Sequence, residues 1–131
     1  NYLSSLMINR QAFRKAVQPL RETDEPDASP ALRSFVKDHP TDLYSGEARY
    51  YMHYAEYRLG RTREAIDGFL DLLNNDPHST ASQGKAHYFL GRAYEMRKYS
   101  TLALIEYRLG RLEDNDLLKK AVDKRLKEME K

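Results

Sequence analysis

Residues 48–77, ARYYMHYAEYRLGRTREAIDGFLDLLNNDP, read as two amphipathic helices folded back on one another at Gly60. Ala48, Tyr51, Met52, Ala55 and Leu59 fall at i, i+3, i+4, i+7 and i+11, a continuous helical stripe, and Ser45 stands where a cap would start it. Thr62 is placed to cap the returning helix, in which Ala65, Ile66, Phe69, Leu72 and Leu73 keep the same period until Pro77 ends it. Gly60 can take the left-handed backbone that closes a helix, so the connection is short and the pair is expected to be antiparallel.

The pattern recurs. In residues 85–110, KAHYFLGRAYEMRKYSTLALIEYRLG, Ala86, Leu90, Ala93 and Tyr94 form the first stripe, and Ala86 follows Ala48 by 38 positions (86 − 48). The second helix carries Leu102, Ala103, Ile105, Tyr107 and Leu109 on more than one side, which predicts a helix buried between neighbours. Residues 78–84, HSTASQG, read as the loop between the two copies. The last segment, DLLKKAVDKRLKEMEK, gathers Leu118, Ala121, Val122, Leu126 and Met129 on one side and charge elsewhere, as a terminal capping helix of a stacked array would. Upstream, Leu3, Leu6, Phe13, Val17 and Leu20 share one face of a helix over about 3–21, with Pro19 expected to disturb its last turn. Residues 23–29, TDEPDAS, are turn chemistry. Ser29 as cap and Pro30 at the first helical position then open a short helix with Leu32, Phe35 and Val36 inward, ending before Pro40.

Composition narrows the chemistry. The 131 residues suit one domain, and the absence of cysteine excludes disulfides, thiolate zinc sites and a cysteine nucleophile. Twenty-two Lys and Arg against twenty Asp and Glu leave +2, interspersed as on a solvated helical surface, short of the basic balance that marks nucleic-acid binders. No apolar run reaches the roughly 18 residues a membrane span requires. The chain opens on Asn1 without methionine, which reads as a processed piece whose targeting segment could have been removed.

Residues 48–77 and 86–110 resemble tetratricopeptide repeats. Leu90-Gly91 with Tyr94 matches the L-G-x2-Y core, and Ala103 with Tyr107 matches A-x3-F. In the first copy Ala65 with Phe69, Gly60 and Pro77 match, while Met52-His53 replaces L-G and Glu56 replaces the tyrosine. The repeat length exceeds the usual 34 residues by a few loop positions. FVKDHP at 35–40 aligns with LLNNDP at 72–77, so residues 1–40 read as a degenerate first pair. The resemblance implies an all-α, right-handed superhelix of antiparallel helix pairs, about seven helices in a single domain: 1–40, 45–77, 80–113 and a capping helix at 116–130. The loop turns are similar to those of bacterial envelope members of the family, in outer-membrane assembly lipoproteins and the Tol-Pal coordinator. That implies the periplasmic side of an envelope, with the cytoplasm as the alternative.

In this family the first helix of each pair lines a concave groove, and matching by motif puts Glu47, Tyr50, Tyr54, Tyr57 and Arg58 there in one copy. Lys85, Tyr88, Arg92, Glu95 and Met96 correspond in the other. Tyr50, Tyr54, Tyr57, Arg58, Tyr88, Arg92 and Glu95 are therefore the candidate partner-binding residues, since tyrosine and arginine are favoured interface anchors. The competing reading packs Tyr50 and Tyr54 against neighbouring helices. The lysine and asparagine clamp by which family members hold a terminal carboxylate is replaced by Tyr50 and Tyr54, so that ligand is not expected. Gly91, Ala65 and Ala103 are packing positions that let helices approach, with Phe69 and Tyr107 filling the layers.

Other constellations are weaker. His39, His53, His78 and His87 share no metal-ligand spacing, although His53 and His87 fall on successive first helices, so no metal or cofactor is expected. No base and nucleophile pair suggests catalysis. Arg58, Arg61 and Arg63 beside tyrosines could stack on RNA, but Glu56, Glu64 and Asp67 are interleaved as on a salt-bridged surface. YRLGR occurs at 57–61 and at 107–111, ending a first helix once and a second helix once, off the repeat period. The expected function is a non-catalytic scaffold binding a protein or peptide, with stacking through repeat ends into homo-oligomers as the alternative.

Overall fold

The computed structural model describes residues 2–22, 29–40, 44–75 and 83–131. Among them the chain is all-helical, without strands: α1 (Tyr2–Glu22), α2 (Ser29–Asp38), α3 (Ser45–Arg58), α4 (Thr62–Asn75), α5 (Gln83–Met96), α6 (Ser100–Arg111) and α7 (Asp116–Met129). The TDEPDA turn, Pro77 and the first five residues of the 78–84 loop lie outside the described residues, as do the side chains of Leu6 and Ser29.

Packing sorts the helices into two rows. The odd-numbered ones touch in succession, α1 with α3, α3 with α5 and α5 with α7, and each even-numbered helix packs on the odd ones that flank it. Among the described residues α2 does not touch α4, nor α4 α6. The core divides along the chain, across both rows. Phe13, Ala16, Val17, Leu20, Leu32, Phe35, Ala48 and Ala55 form one cluster, and Tyr50, Ala65, Phe69, Leu72, Ala86, Leu90, Tyr94, Ala103, Tyr107, Leu118 and Val122 the other. Tyr51 and Tyr54 pack against both. α3 is thus buried on two sides, which explains why Tyr50 and Glu56 are buried although neither belongs to its apolar stripe.

The two turns of the pairs are built alike from different residues. Gly60 has φ +80°, its N–H donates to Tyr57 O at 3.1 Å, and Arg61 N–H donates to Glu56 O at 2.9 Å. This crossed pair satisfies carbonyls that the helix end leaves free. At the equivalent turn Lys98 has φ 66°, with Lys98 N–H to Glu95 O and Tyr99 N–H to Tyr94 O, both 2.9 Å. The YRLGR copies differ: the first ends α3 in this turn, whereas the second stays within α6, where Gly110 is buried and a methyl would meet Gly84 O at 3.1 Å.

Helix pairs meet at small residues, on opposite sides in the two copies. In α5 a methyl on Gly91 would fall 2.6 Å from the Tyr107 ring. In the first copy His53 occupies that position in α3, and the small residue is Gly68 of α4, where a methyl would fall 2.0 Å from His53 Nδ1. His53 Nδ1 lies 2.9 Å from the carboxylate of the buried Glu56, with Arg33 at 3.9 Å from the same oxygen. The departures at His53 and Glu56 are therefore one packed, paired unit.

Several expectations are corrected. Ser45 is the first residue of α3 rather than its cap, which is Tyr44, whose side chain makes no capping hydrogen bond to the helix amides. Thr62 lies inside α4, and its hydroxyl donates to Gly60 O at 3.3 Å instead of capping amides. α1 continues through Pro19 to Glu22, since a proline removes a single ladder bond while its neighbours hold Phe13, Val17 and Leu20 in the core. Leu3 is 68% exposed, as the flanking helices cover only the second half of α1. Gln83 and Gly84 belong to α5 and not to the loop. α6 is not buried between neighbours: Ala103, Tyr107 and Gly110 are buried, whereas Leu102, Ile105 and Leu109 face outward because none of the described helices covers that side.

Candidate functional site

The tyrosines of α3 form a ladder. Tyr50 and Tyr54 stack at 6.2 Å and 10°, and Tyr54 and Tyr57 at 6.4 Å and 28°. Phe89 of α5 meets Tyr54 edge-on at 4.8 Å and Tyr57 at 5.4 Å, then passes contact to Tyr88 at 5.0 Å. Tyr50 is 3% exposed, and burial pushes its phenol well above the ordinary value, so it packs in the core with Lys85 Nζ 6.0 Å from its ring centre. Tyr54 is half-buried with the Arg58 guanidinium 5.7 Å from its centroid. The competing packing reading thus describes Tyr50 fully and Tyr54 in part, since Tyr54 packs against both core clusters and against Phe89 while keeping some exposure.

Tyr57, Tyr88 and Arg92 converge on one open recess of about 480 Å³, completed by Phe89 and by Ala121, Lys124, Arg125 and Glu128 of α7. Arg92 Nε donates to Tyr57 Oη at 3.5 Å, and its Nη1 lies 3.9 Å from Glu95. Burial works to lower the Arg92 pKa, but the Tyr57 hydrogen bond together with the charge interactions with Tyr57 and Tyr107 outweighs it, so the guanidinium stays charged. Burial also raises the Tyr88 hydroxyl, keeping it a neutral donor. Lys124 is exposed and makes no ion pair among the described residues.

Glu95 belongs to the frame behind this recess. Arg125 grips it with two bonds, Nε to Oε2 at 2.7 Å and Nη2 to Oε1 at 2.8 Å, and reaches Glu128 through Nη1 at 2.5 Å. Tyr107 donates its hydroxyl to the same Glu95 carboxylate. Burial works to raise the Glu95 pKa, but these donors outweigh it and hold the carboxyl below its ordinary range. The latch ties α7 to the α5–α6 pair.

The candidates thus separate into a recess set (Tyr57, Tyr88, Arg92), a ladder set (Tyr50, Tyr54 with Arg58) and a latch (Glu95). Phe89, Lys124 and Arg125 are additions. Phe89 falls between the candidate Tyr88 and the Leu90 stripe and belongs to neither pattern, and Lys124 and Arg125 belong to the charged side of the terminal helix; only the fold turns them toward α5. His53 and His87 each pair with a carboxylate: His53 Nδ1 lies 2.9 Å from Glu56, and His87 Nδ1 2.9 Å from Glu106 of α6. No three metal-ligating side chains gather among the described residues, and no helix there is long and apolar enough to cross a membrane. The fold defines an all-α domain of successive helix pairs with an aromatic and cationic recess on its odd-numbered row. Neither protein-family models nor curated proteins match the chain.

Proposed function

We propose that this chain is a non-catalytic, tetratricopeptide-type repeat domain that binds a protein or peptide segment across α3, α5 and α7. The observation that carries this reading is the convergence of Tyr57, Tyr88, Phe89 and Arg92 with Lys124 of α7 in one open recess. Rings held by the stacked ladder and an arginine fixed by Tyr57 lose little freedom when a segment docks, so contact area is converted into affinity with small ordering cost. The contact of odd-numbered helices with each other, and the separation of even-numbered ones, supports curvature toward the odd row, as in a superhelical array. An envelope location rests on the loop resemblance alone.

Affinity capture from the source organism tests the reading, comparing the native chain with Arg92→Ala and Tyr88→Ala. Both variants are expected to keep their helicity by circular dichroism and to lose most of the captured partners. Unchanged yields from both would refute the groove. The alternative, self-assembly through repeat ends, is favoured by Leu3, Met7 and Ile8, all exposed on the first turns of α1. Sedimentation of the purified chain across a concentration series separates the two, because a monomer at every concentration excludes assembly.

A further inference from the structure

Leu102, Ile105, Leu109 and Leu112 run along α6 on the side away from Ala103, Tyr107 and Gly110, and are 45%, 48%, 42% and 81% exposed. Their spacing of three, four and three places them at the a and d positions of two heptads. On a helical wheel the stripe spans roughly 80°, the narrow seam one helix offers another rather than the broad apolar face of a helix lying in lipid. The same chain supplies a comparison. Thirty-eight residues earlier, the equivalent positions on α4 are Glu64, Asp67, Asp71 and Asn74, all exposed. One repeat therefore solvates this outer surface with polar groups, and the next replaces all four by aliphatic side chains in register. A lone exposed leucine is ordinary, whereas a contiguous stripe of four marks an interaction surface.

The solvent-facing unpaired charges at its border have one sign, since the carboxylate of Glu113, which follows Leu112, turns inward against Gly84 with its Oε2 buried and without a hydrogen-bond partner. Arg97 and Lys98 immediately precede α6, Arg108 stands beside Leu109, and none has an ion-pair partner among the described residues. The acid on the opposite border, Glu106, is bound to His87. A second copy of the chain would bring these cations against themselves, since an antiparallel pair sets Arg108 facing Arg108. We propose that the outer face of α6 is a docking surface for an acidic amphipathic helix of another protein. The partner seats its apolar residues on the Leu102 to Leu112 seam and its carboxylates near Arg97, Lys98 and Arg108. This surface lies on the even-numbered row, separate from the recess among α3, α5 and α7.

The test uses the whole chain and two fluorescein-labelled three-heptad peptides with leucine at a and d, one with glutamate and one with lysine at e and g. Like charges at e and g keep each peptide from pairing with itself. At low salt the acidic peptide is expected to raise anisotropy with an affinity about tenfold above that of the basic one. Ile105→Glu and Leu109→Glu should each weaken it at least about tenfold without lowering the melting temperature, because both side chains are already exposed. Arg108→Glu should erase most of the preference for the acidic peptide. Failure of the acidic peptide to bind, equal affinity for the two peptides, or binding indifferent to Ile105→Glu overturns the proposal. So does flotation with phosphatidylglycerol vesicles, or a concentration-dependent dimer, that Ile105→Glu abolishes while peptide binding is absent. Those results assign the face to lipid or to a second copy.

Discussion

Gly60 and Lys98 perform the same turn with unequal ease. A left-handed φ crowds a side chain against its own carbonyl, a cost that glycine avoids and lysine bears. Lys98→Gly is expected to stabilise the fold by about 0.5–1 kcal/mol, less than the full strain because glycine also frees the unfolded chain. Urea denaturation measures it, and a lower midpoint would show that the Lys98 side chain compensates its backbone. The turn at Gly60 was legible because glycine after an apolar stripe is a strong signal. The equivalent turn at Lys98 was not, since its φ is imposed by the helices on either side. Likewise Gly91 announced close packing in the second copy, whereas the exchange of roles between His53 and Gly68 became visible only when α3 and α4 were placed face to face.

Among the elements, α7 carries the largest revision. Its inward stripe was evident from Leu118, Ala121, Val122, Leu126 and Met129, and Asn115 caps it by accepting from Leu118 N–H at 3.1 Å. The Arg125 latch and the turn of Lys124 toward Tyr88 depend on the angle at which α7 meets α5, which no local pattern encodes. Because Glu95 titrates below its unfolded value, its contribution is complete above the ordinary glutamate pKa near 4.5 and is lost as pH falls through the lower folded value. Acid unfolding of Arg125→Ala should therefore show a flatter dependence in that window. At neutral pH the variant should lose about 1–3 kcal/mol, as the partly buried Glu95 carboxylate loses both Arg125 bonds and keeps the Tyr107 hydroxyl as its donor. Native and variant curves that stay parallel below pH 4.5 would place the linkage elsewhere. The apolar richness of α6 was equally legible, but an excess of leucine and isoleucine specifies that a face wants cover without saying whether the same chain provides it.

At the scale of the molecule, two cores share α3 as a common wall. The smaller rests on α1 and α2, and α1 leaves Leu3, Met7 and Ile8 in solvent. Amides of α2 and of the second half of α1 are expected to exchange with deuterium at least about tenfold faster than those of α5 and α6, as a unit that opens while the rest stays folded. Identical protection across both would show one cooperative core. This division follows the sequence: the strongest repeat matches lie in α3 to α6, and residues 1–40 keep the apolar spacing without the small-residue contacts. The seven helices were legible for that reason, while the recess, assembled from α3, α5 and α7, depends on distances across the array. Among the described residues the even-numbered helices do not meet one another, so a residue on the outer side of α2, α4 or α6 need not be fitted to the next even-numbered helix. The acidic surface of α4 and the aliphatic surface of α6 can therefore change by substitution without compensation elsewhere, which leaves each repeat an independently variable outer side on a shared inner frame.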